Sequence, residues 1–470
     1  MEQIETKDKV THSLGTEKIG KLIARFAIPS VISLLVNSLY NIVDQIFIGQ
    51  KVGYLGNAAT NVAFPIVTLS MAIALLLGDG CAAHLSLKLG EGKKESAARG
   101  VGNMLIVALA GGVLFMAAGL IFLSPLMRAF GATDKVMPYA TEYTRIILMG
   151  VPFVIVGTSL NSVIRADGSP RFAMISMIAG AVTNVILDYT FMFPMDMGVD
   201  GAAIATILGQ ILSCVISLFY LKRFKSIDLK KRYFKLQGSM ISTVCKLGVS
   251  SFITQMAITV VQIALNNTLA TYGALSIYGS EIPLSCVGIV MKVNQIMISV
   301  VVGIAIGAQP ITGYNYGAKN YGRVKKTYLT SMLLALLCST LFYLVFMIFP
   351  ESVISIFGQE DALYNAFAVK TFRTFLALCF VAGFQITSSH FFQAVGKPMR
   401  AATLSLSRQV LFLVPLVLIL PMFMGLDGVL YAGPIADGCA AVLSAVFISI
   451  EMRRLGRMEK EQAALRSAAA

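Results

Sequence analysis

The sequence predicts an all-α polytopic membrane protein whose 12 transmembrane helices form two six-helix lobes, related by pseudo-twofold symmetry along the membrane normal. Three observations carry this prediction. The 470 residues are 56% hydrophobic and only 13% charged, the apolar residues form long uninterrupted segments, and several short sequence features recur at a nearly constant interval.

The composition excludes a soluble protein of this size, because its surface requires more polar side chains. The mean hydropathy is +0.77, and runs of roughly 20 apolar residues can each cross a hydrocarbon core of about 30 Å as a helix. The runs are rich in Leu, Ile, Met and Ala, whereas barrel strands would be short and alternating. The predicted spans cover residues 22–49, 57–88, 96–123, 137–166, 170–195, 199–222, 238–270, 282–313, 324–349, 361–395, 398–423 and 428–452.

The basic residues predict the orientation in the membrane. The formal net charge is +14, and most of the 38 Lys and Arg lie in the termini and in the loops after the even-numbered spans. The intervening loops contain only Lys51, Arg128 and Lys135. This positive-inside pattern predicts a multi-pass protein of the plasma (inner) membrane with both termini in the cytosol. Orientation explains the charge, so no nucleic-acid partner is expected.

The chain contains an internal repeat. Short features of the first half recur 227 or 228 residues later: Leu89-Gly90 as Tyr316-Gly317, Phe130-Gly131 as Phe357-Gly358, Gly168-Ser-Pro170 as Gly396-Lys-Pro398, and Asp200-Gly201 as Asp427-Gly428. An even number of helices per half gives both halves the same orientation. We therefore predict an N-lobe at 1–223, a basic cytosolic linker at 224–237 and a C-lobe at 238–470.

Enzymatic chemistry is not indicated. The seven cysteines form no CxxC pair, and His12, His84 and His390 are too scattered for a metal-ligand set. No GxxxxGK[ST] loop is present, so the chain has no ATPase of its own. We expect no cofactor and no metal beyond a possible Na⁺, and a transporter built from this chain would be driven by an ion gradient or by a partner protein.

Two acidic residues of the first half lie at matching depth. Asp44 and Asp188 are each a few residues inside the outer end of their span, and Thr206 returns to the same level about 10 Å deep. Asn184 lies one turn before Asp188, and the fourth span brings Tyr143 to this level. Such a cluster can hold a proton, because burial and a second carboxylate favour the neutral acid, or a hard cation through its oxygens. The alternative is a hydrogen-bonded network that only holds the helices together.

Three further acidic residues have simpler explanations. Asp79, on the inner part of the second span, can pair with a basic cytosolic residue. Asp167 lies in a turn at the end of the fourth span, where turn chemistry accounts for it. Asp437 lies between Pro434 and Gly438, so a local backbone role is as good an explanation as a functional one.

The sequence resembles the multidrug and toxic compound extrusion (MATE) family, specifically its MepA-type branch. The segments that carry the resemblance are Asn41-Ile-Val-Asp-Gln-Ile-Phe-Ile-Gly49, Arg165-Ala-Asp-Gly-Ser-Pro170, Asn184-Val-Ile-Leu-Asp188, Gly201-Ala-Ala-Ile-Ala-Thr206 and Gln309-Pro-Ile-Thr-Gly-Tyr-Asn-Tyr-Gly-Ala-Lys319. The resemblance covers essentially all spans. It implies export of organic, often cationic and amphipathic compounds in exchange for H⁺ or Na⁺.

The resemblance also implies roles for particular residues. Coupling-ion binding is implied for four residues of the first lobe, a network role for two more, and hinge bending for one proline: Asp44, Asn184, Asp188 and Thr206; Tyr143 and Asn161; and Pro29. One branch of the family has acidic residues in the seventh and tenth spans. Here those regions offer Gln255, Gln262, Gln385, Thr387 and Ser388, which makes a cation site in the second lobe doubtful.

The mechanism that follows is antiport by alternating access. The two lobes would rock about a midplane cavity, and ion binding near Asp44 and Asp188 would compete with a cationic substrate for the same negative charge. We expect the chain to work as a monomer in the lipid bilayer. One alternative is a lipid or lipid-linked oligosaccharide flippase of a related fold, which would need a large cationic cavity. The other is a membrane-embedded enzyme or receptor, which the repeat and the lack of a catalytic or metal-binding set disfavour.

Overall fold

The computed structural model describes residues 13–52, 54–130, 132, 134–279, 281–355 and 362–469. Within these ranges the regular structure is entirely helical. Eleven helices are long and apolar enough to cross a membrane, and a bent pair supplies a twelfth crossing. The predicted fold class is confirmed. The repeat features Gly131 and Phe357-Gly358 lie outside the described residues.

The first lobe contains six long helices, most of them ending within a few residues of the predicted span limits. They are α1 (Ile19–Lys51), α2 (Tyr54–Gly90), α3 (Lys94–Ile121), α4 (Met137–Ala166), α5 (Pro170–Met192) and α6 (Gly198–Phe219). Helix α4 packs against α2, α3 and α6, while α5 packs against α6 and α1. A large apolar core around α2, α3 and α4 holds this lobe together.

The second lobe repeats this arrangement with less regular helices. They are α7 (Gly238–Ala274), α8 (Glu281–Gly317), α9 (Tyr321–Ile348), α10a (Ala362–Phe375), α10b (Ala382–Ala394), α11 (from Pro398, with interruptions, to Met424) and α12 (Leu426–Ala469). The predicted span over 361–395 is formed by two helices, with a bend of 45° at a break before Cys379. Helix α11 also contains a π-helical segment, Ser407–Leu413.

The lobes meet along two helix pairs, α1 with α8 and α2 with α7, and α2 also contacts α8. The contact between α2 and α8 is symmetric with respect to the two lobes. A Cβ atom on Gly90 would lie 2.1 Å from the carbonyl oxygen of Tyr314, and one on Gly317 would lie 2.2 Å from that of Leu87. Both partners are related by the 227-residue offset of the sequence repeat, so a pseudo-twofold axis passes between these glycines. The exact lobe boundaries, 1–223 and 238–470, stay a prediction.

The basic linker is fixed to the first lobe by Asp167. Its carboxylate accepts hydrogen bonds from the Tyr220 hydroxyl at 2.6 Å and from the backbone N–H groups of Lys225 at 2.7 Å and Ser226 at 2.9 Å, with the Ser226 hydroxyl as a further donor. Turn chemistry alone therefore does not explain Asp167. Its partners lie more than 50 residues away in sequence, so the local pattern could not reveal them.

Candidate functional site

Asp44 and Asp188 come together because α1 packs along α5. Asp188 is fully buried, with no exposed surface, and its side chain is close enough to that of Asp44 for the two to interact electrostatically. Neither oxygen of Asp188 nor Oδ1 of Asp44 has a hydrogen-bond partner within the described residues. Unpaired buried carboxylate oxygens are costly in a bilayer, which makes this pair a candidate ligand site.

Asn184 and Thr206 lie next to this pair. The Asn184 amide Nδ2 donates to Thr206 Oγ1 at 3.3 Å, while its carbonyl Oδ1 is buried and unpartnered in the part of the chain that the structure describes. Because Asn184 lies one turn before Asp188 on α5, its side chain contributes to the electrostatic environment of that carboxylate. The structure thus brings together the four residues predicted from the sequence.

Two tyrosines complete the cluster. Tyr143 on α4 is 7% exposed and interacts electrostatically with both Asp44 and Asp188. Tyr40 on α1 interacts with the same two carboxylates and was missed by the sequence analysis. The signal was available, because Tyr40 lies four residues before Asp44 and therefore on the same face of the helix.

Asn161 belongs to a different polar network. Its amide donates to the Gly157 carbonyl oxygen at 3.0 Å and its Oδ1 accepts from the Ser176 hydroxyl at 2.8 Å; Ser217 in turn donates to Ser176 at 3.3 Å. Asn161 also lies 18 residues after Tyr143 on α4, about 27 Å along the helix. The structure therefore does not place Asn161 beside the carboxylate pair.

Pro29 lies inside α1, which is continuous from Ile19 to Lys51. The Ser33 hydroxyl donates to the Pro29 carbonyl oxygen at 2.8 Å. A hinge at Pro29 stays a prediction.

The remaining intramembrane acids have partners on other helices. Asp79 accepts hydrogen bonds from the Ser162 hydroxyl on α4 and the Ser251 hydroxyl on α7, each at 2.8 Å. It also interacts electrostatically with the basic Arg165 at the end of α4. Asp437 on α12 accepts from Arg408 Nε on α11 at 2.5 Å. Its flanking Pro434 and Gly438 are therefore not the whole explanation for this residue.

The donor set of the first-lobe cluster fits a proton or a small hard cation. Two carboxylates, an amide carbonyl and a hydroxyl provide oxygen ligands of the kind that such cations prefer. The orphaned oxygens of Asp44, Asp188 and Asn184 are the structural sign of this capacity.

Comparison with known proteins gives consistent matches over the whole chain. A sequence model of the MatE family matches twice, at residues 29–190 and 251–419, once in each lobe. Multidrug export protein MepA of Staphylococcus aureus (strain MRSA252) is 25% identical over 454 residues, covering 96% of this chain and 98% of that protein.

Solved structures with the same fold include two with 25% sequence identity. One is an outward-facing conformation of a multidrug resistance MATE family transporter of the MOP superfamily, with a TM-score of 0.88 over 95% of this chain and 98% of that chain. The other is a MATE protein in a bent conformation, with a TM-score of 0.87 over 96% of this chain and 98% of that chain.

Proposed function

We propose that this chain, which belongs to the MatE family of multidrug efflux transporters, exchanges amphipathic organic cations for H⁺ or Na⁺. The chain is a multi-pass membrane transporter and not an enzyme. The observation that carries the ion-exchange proposal is the buried pair Asp44 and Asp188, whose oxygens lack hydrogen-bond partners among the described residues. We further propose a plasma-membrane location, cytosolic termini and a monomeric working unit.

Exchange at this site requires only competition for one charge. Binding of one H⁺ or Na⁺ from outside removes one negative charge from the Asp44 and Asp188 pair and weakens its attraction for an organic cation, which then leaves. Release of the ion to the cytosol restores the negative charge, and a new organic cation is attracted. A ligand shifts the transporter between two conformations only by binding them differently, and this charge supplies such a difference. The acidic character of the cluster also disfavours the flippase alternative, since a lipid pyrophosphate requires cationic groups.

Alternating access is supported by where the lobes touch. Two close helix crossings between the lobes, at Gly90 with Gly317 and at Gly80 with Gly248, lie on the side that the proposed orientation assigns to the cytosol. There the backbones meet without intervening side chains. The Asn315 amide of α8 also donates to the Leu14 carbonyl oxygen at 3.0 Å. The Asp44 and Asp188 cluster lies near the outer ends of α1 and α5, away from these contacts. This geometry fits a conformation that is closed toward the cytosol.

A chain of hydrogen bonds also crosses the lobe boundary at this level. Asp79 of the first lobe accepts from Ser251 of the second. Gln393 donates to the same Ser251 hydroxyl at 3.0 Å, and Gln309 donates to Gln393 Oε1 at 2.8 Å. We define these four residues as the cytosolic clasp. Opening the transporter to the cytosol has to break the Asp79 to Ser251 bond.

Ser251→Ala is expected to shift the lobes toward a cytosol-open arrangement, because it removes the cross-lobe partner of Asp79. Loss of a hydrogen bond to a charged group costs about 1.5 kcal/mol, which is roughly a tenfold change in the ratio of closed to open populations. The measurement is the distance distribution between spin labels on exposed cytosolic positions of the two lobes, Lys93 and Lys326, in a background lacking the native cysteines.

Ser162→Ala is the matched control, since Ser162 donates to the other oxygen of Asp79 from within the first lobe. It should leave the distance distribution closer to that of the parent protein. Equal shifts in both variants would show that the clasp does not hold the lobes together.

The direct test of the proposed function is transport by the purified chain in proteoliposomes. Efflux of a fluorescent organic cation is measured under a pH gradient alone and under a Na⁺ gradient alone. Dye movement driven by either gradient supports exchange and identifies the ion. If the rate of dye efflux were the same with and without either gradient, ion exchange would be contradicted. If no dye moved under any gradient, export of organic cations would be contradicted.

A further inference from the structure

The second lobe contains a buried ion pair that the proposed ion exchange does not use. Arg408 Nε donates to Asp437 Oδ1 at 2.5 Å, with the Asp437 side chain 3% exposed and that of Arg408 18% exposed. Arg408 lies about 15 Å from the cytosolic start of α11 and Asp437 about 16 Å from the outer start of α12, at 1.5 Å per residue. In a hydrocarbon core about 30 Å thick, both residues are close to the midplane.

Irregular helix geometry surrounds this pair on two sides. Arg408 is in the π-helical segment of α11, and π-helical turns occur frequently at functional sites. The break between α10a and α10b is at Cys379, which interacts electrostatically with both Arg408 and Asp437. Gly433 of α12 accommodates this break, because a Cβ atom there would lie 2.7 Å from the Phe375 carbonyl oxygen. Discontinuous helices near the midplane are where transporters form ligand sites.

The ion pair leaves one edge of the guanidinium available. Arg408 uses Nε for Asp437, and within the described residues Nη1 and Nη2 have no hydrogen-bond partner. A charged arginine at the midplane faces the protein interior or a water-filled cavity, because exposure to lipid is too costly. On this ground we assign the 18% exposed part of the Arg408 side chain to the interior of the second lobe rather than to lipid.

A second polar group near this pair also lacks a partner. Gln385 of α10b is 4% exposed, and its Nε2 reaches the Leu404 carbonyl oxygen at 3.5 Å, one turn before Arg408 on α11. Its Oε1 is buried without a hydrogen-bond partner in the described part of the chain. The site therefore presents unused donors on Arg408 and an unused acceptor on Gln385.

The repeat relates this site to the cluster in the first lobe. Helices α11 and α12 correspond to α5 and α6, which carry Asn184, Asp188 and Thr206. With the 228-residue offset, the position in the first lobe that is equivalent to Arg408 is Gly180, which lies one turn before Asn184 on α5. Corresponding regions of the two lobes thus offer different hydrogen-bonding groups. The first lobe has unpaired carboxylate oxygens, which accept, and the second has unpaired guanidinium N–H groups, which donate.

We propose that Arg408 binds the carboxylate of zwitterionic amphipathic substrates, with Asp437 holding its guanidinium in place. This inference rests on the proposed export of organic cations and names the residue that would bind an anionic group carried by the same substrate. The two terminal nitrogens of a guanidinium match a carboxylate in a two-point hydrogen-bonded arrangement. Asp437 compensates the buried arginine when no substrate is present and weakens its hold on a bound carboxylate, which permits release.

The test uses two dyes that differ only in this group, rhodamine 110, which has a free carboxylate, and rhodamine 123, its methyl ester. Transport of each is measured with the full chain in proteoliposomes. Arg408→Gln is expected to raise the ratio of KM for rhodamine 110 to KM for rhodamine 123 by about tenfold, the effect of losing a charge-assisted hydrogen bond. Arg408→Lys keeps the positive charge but lacks the two terminal nitrogens that bind a carboxylate together, so it should raise the same ratio by a smaller factor.

Two further variants separate recognition from structural support. Arg400→Gln removes another arginine of α11, which pairs with Glu451 at 2.7 Å near the cytosolic end, and should leave the ratio unchanged. The double variant Arg408→Gln with Asp437→Asn leaves no uncompensated charge, so it protects the test against misfolding of the single variant. It should transport rhodamine 123 while keeping the raised ratio.

Three outcomes would overturn the inference. The first is an unchanged ratio in Arg408→Gln and in the double variant, which would make the pair a purely structural contact. The second is wild-type protein that moves rhodamine 123 and not rhodamine 110, which would leave the proposed export intact. The third is wild-type protein that moves neither dye, which would overturn the proposed function together with the inference.

Discussion

Asp188→Asn is expected to abolish ion-driven efflux of a cationic dye while the protein still folds and inserts. The substitution preserves side-chain size and keeps one oxygen, but it removes the negative charge that H⁺ or Na⁺ would neutralise. Asp188 is completely buried, and neither of its carboxylate oxygens has a hydrogen-bond partner among the described residues. Because the amide has nearly the same size and shape as the carboxylate, a loss of transport in protein that folds and inserts normally would report the charge.

The measurement is gradient-driven dye efflux in proteoliposomes, with size-exclusion profile and thermal unfolding as checks on folding. Asp196→Asn is the matched control, because Asp196 is exposed and pairs with Lys51 at 2.8 Å near the outer end of α1. It should transport as well as the parent protein. Efflux at the parental rate in Asp188→Asn would rule out the first-lobe cluster as the coupling site.

Asp44→Asn bears on whether the two carboxylates act as a unit. If they share one ion, either single substitution removes the site, and the double variant should be no worse than the single variants. Such non-additivity is the usual result when residues act together. If the two carboxylates acted independently, the double variant would instead lose transport by the product of the two single-variant factors.

Helix counting was enough to predict the first-lobe cluster from the sequence. Asp44, Asp188 and Thr206 lie on helices whose ends are marked by strong local signals, so a rise of 1.5 Å per residue places them at one depth. The repeat offset likewise predicted two similar lobes, and it reappears in the mutual contact of Gly90 with Tyr314 and of Gly317 with Leu87. Both deductions depend only on positions along the sequence, and neither requires knowing which faces of the helices are in contact.

The partners of buried charges were not predictable in this way. Asp79 accepts a hydrogen bond from Ser251, which lies 172 residues later in the chain. Asp437 on α12 accepts one from Arg408 on the neighbouring helix α11. Which faces of α2 and α7, or of α11 and α12, are in contact depends on helix rotation, which a run of apolar residues does not specify. The break before Cys379 was hidden for a similar reason, since no proline or glycine marks it in the sequence.

Gly248→Ala is expected to separate the lobes on the cytosolic side and to reduce transport strongly. A Cβ atom at this position would lie 1.8 Å from the Leu76 carbonyl oxygen on α2, and one on the facing Gly80 would lie 2.1 Å from the Val244 carbonyl oxygen on α7. Backbone atoms cannot move aside as a flexible side chain can, so the helices themselves have to part. Overpacking of this kind costs about 1–3 kcal/mol.

The sign of the effect distinguishes this explanation from helix propensity. Alanine is favoured over glycine inside a helix by up to about 1 kcal/mol, so propensity alone predicts stabilisation. We expect the opposite at Gly248: a lower unfolding temperature, a longer distance between the Lys93 and Lys326 spin labels, and slower dye efflux. Gly238→Ala on the same helix is the control, since nothing lies within 4 Å of a Cβ atom there. If Gly248→Ala behaved like Gly238→Ala in all three measurements, the crossing of α2 and α7 would not be what keeps the lobes closed toward the cytosol.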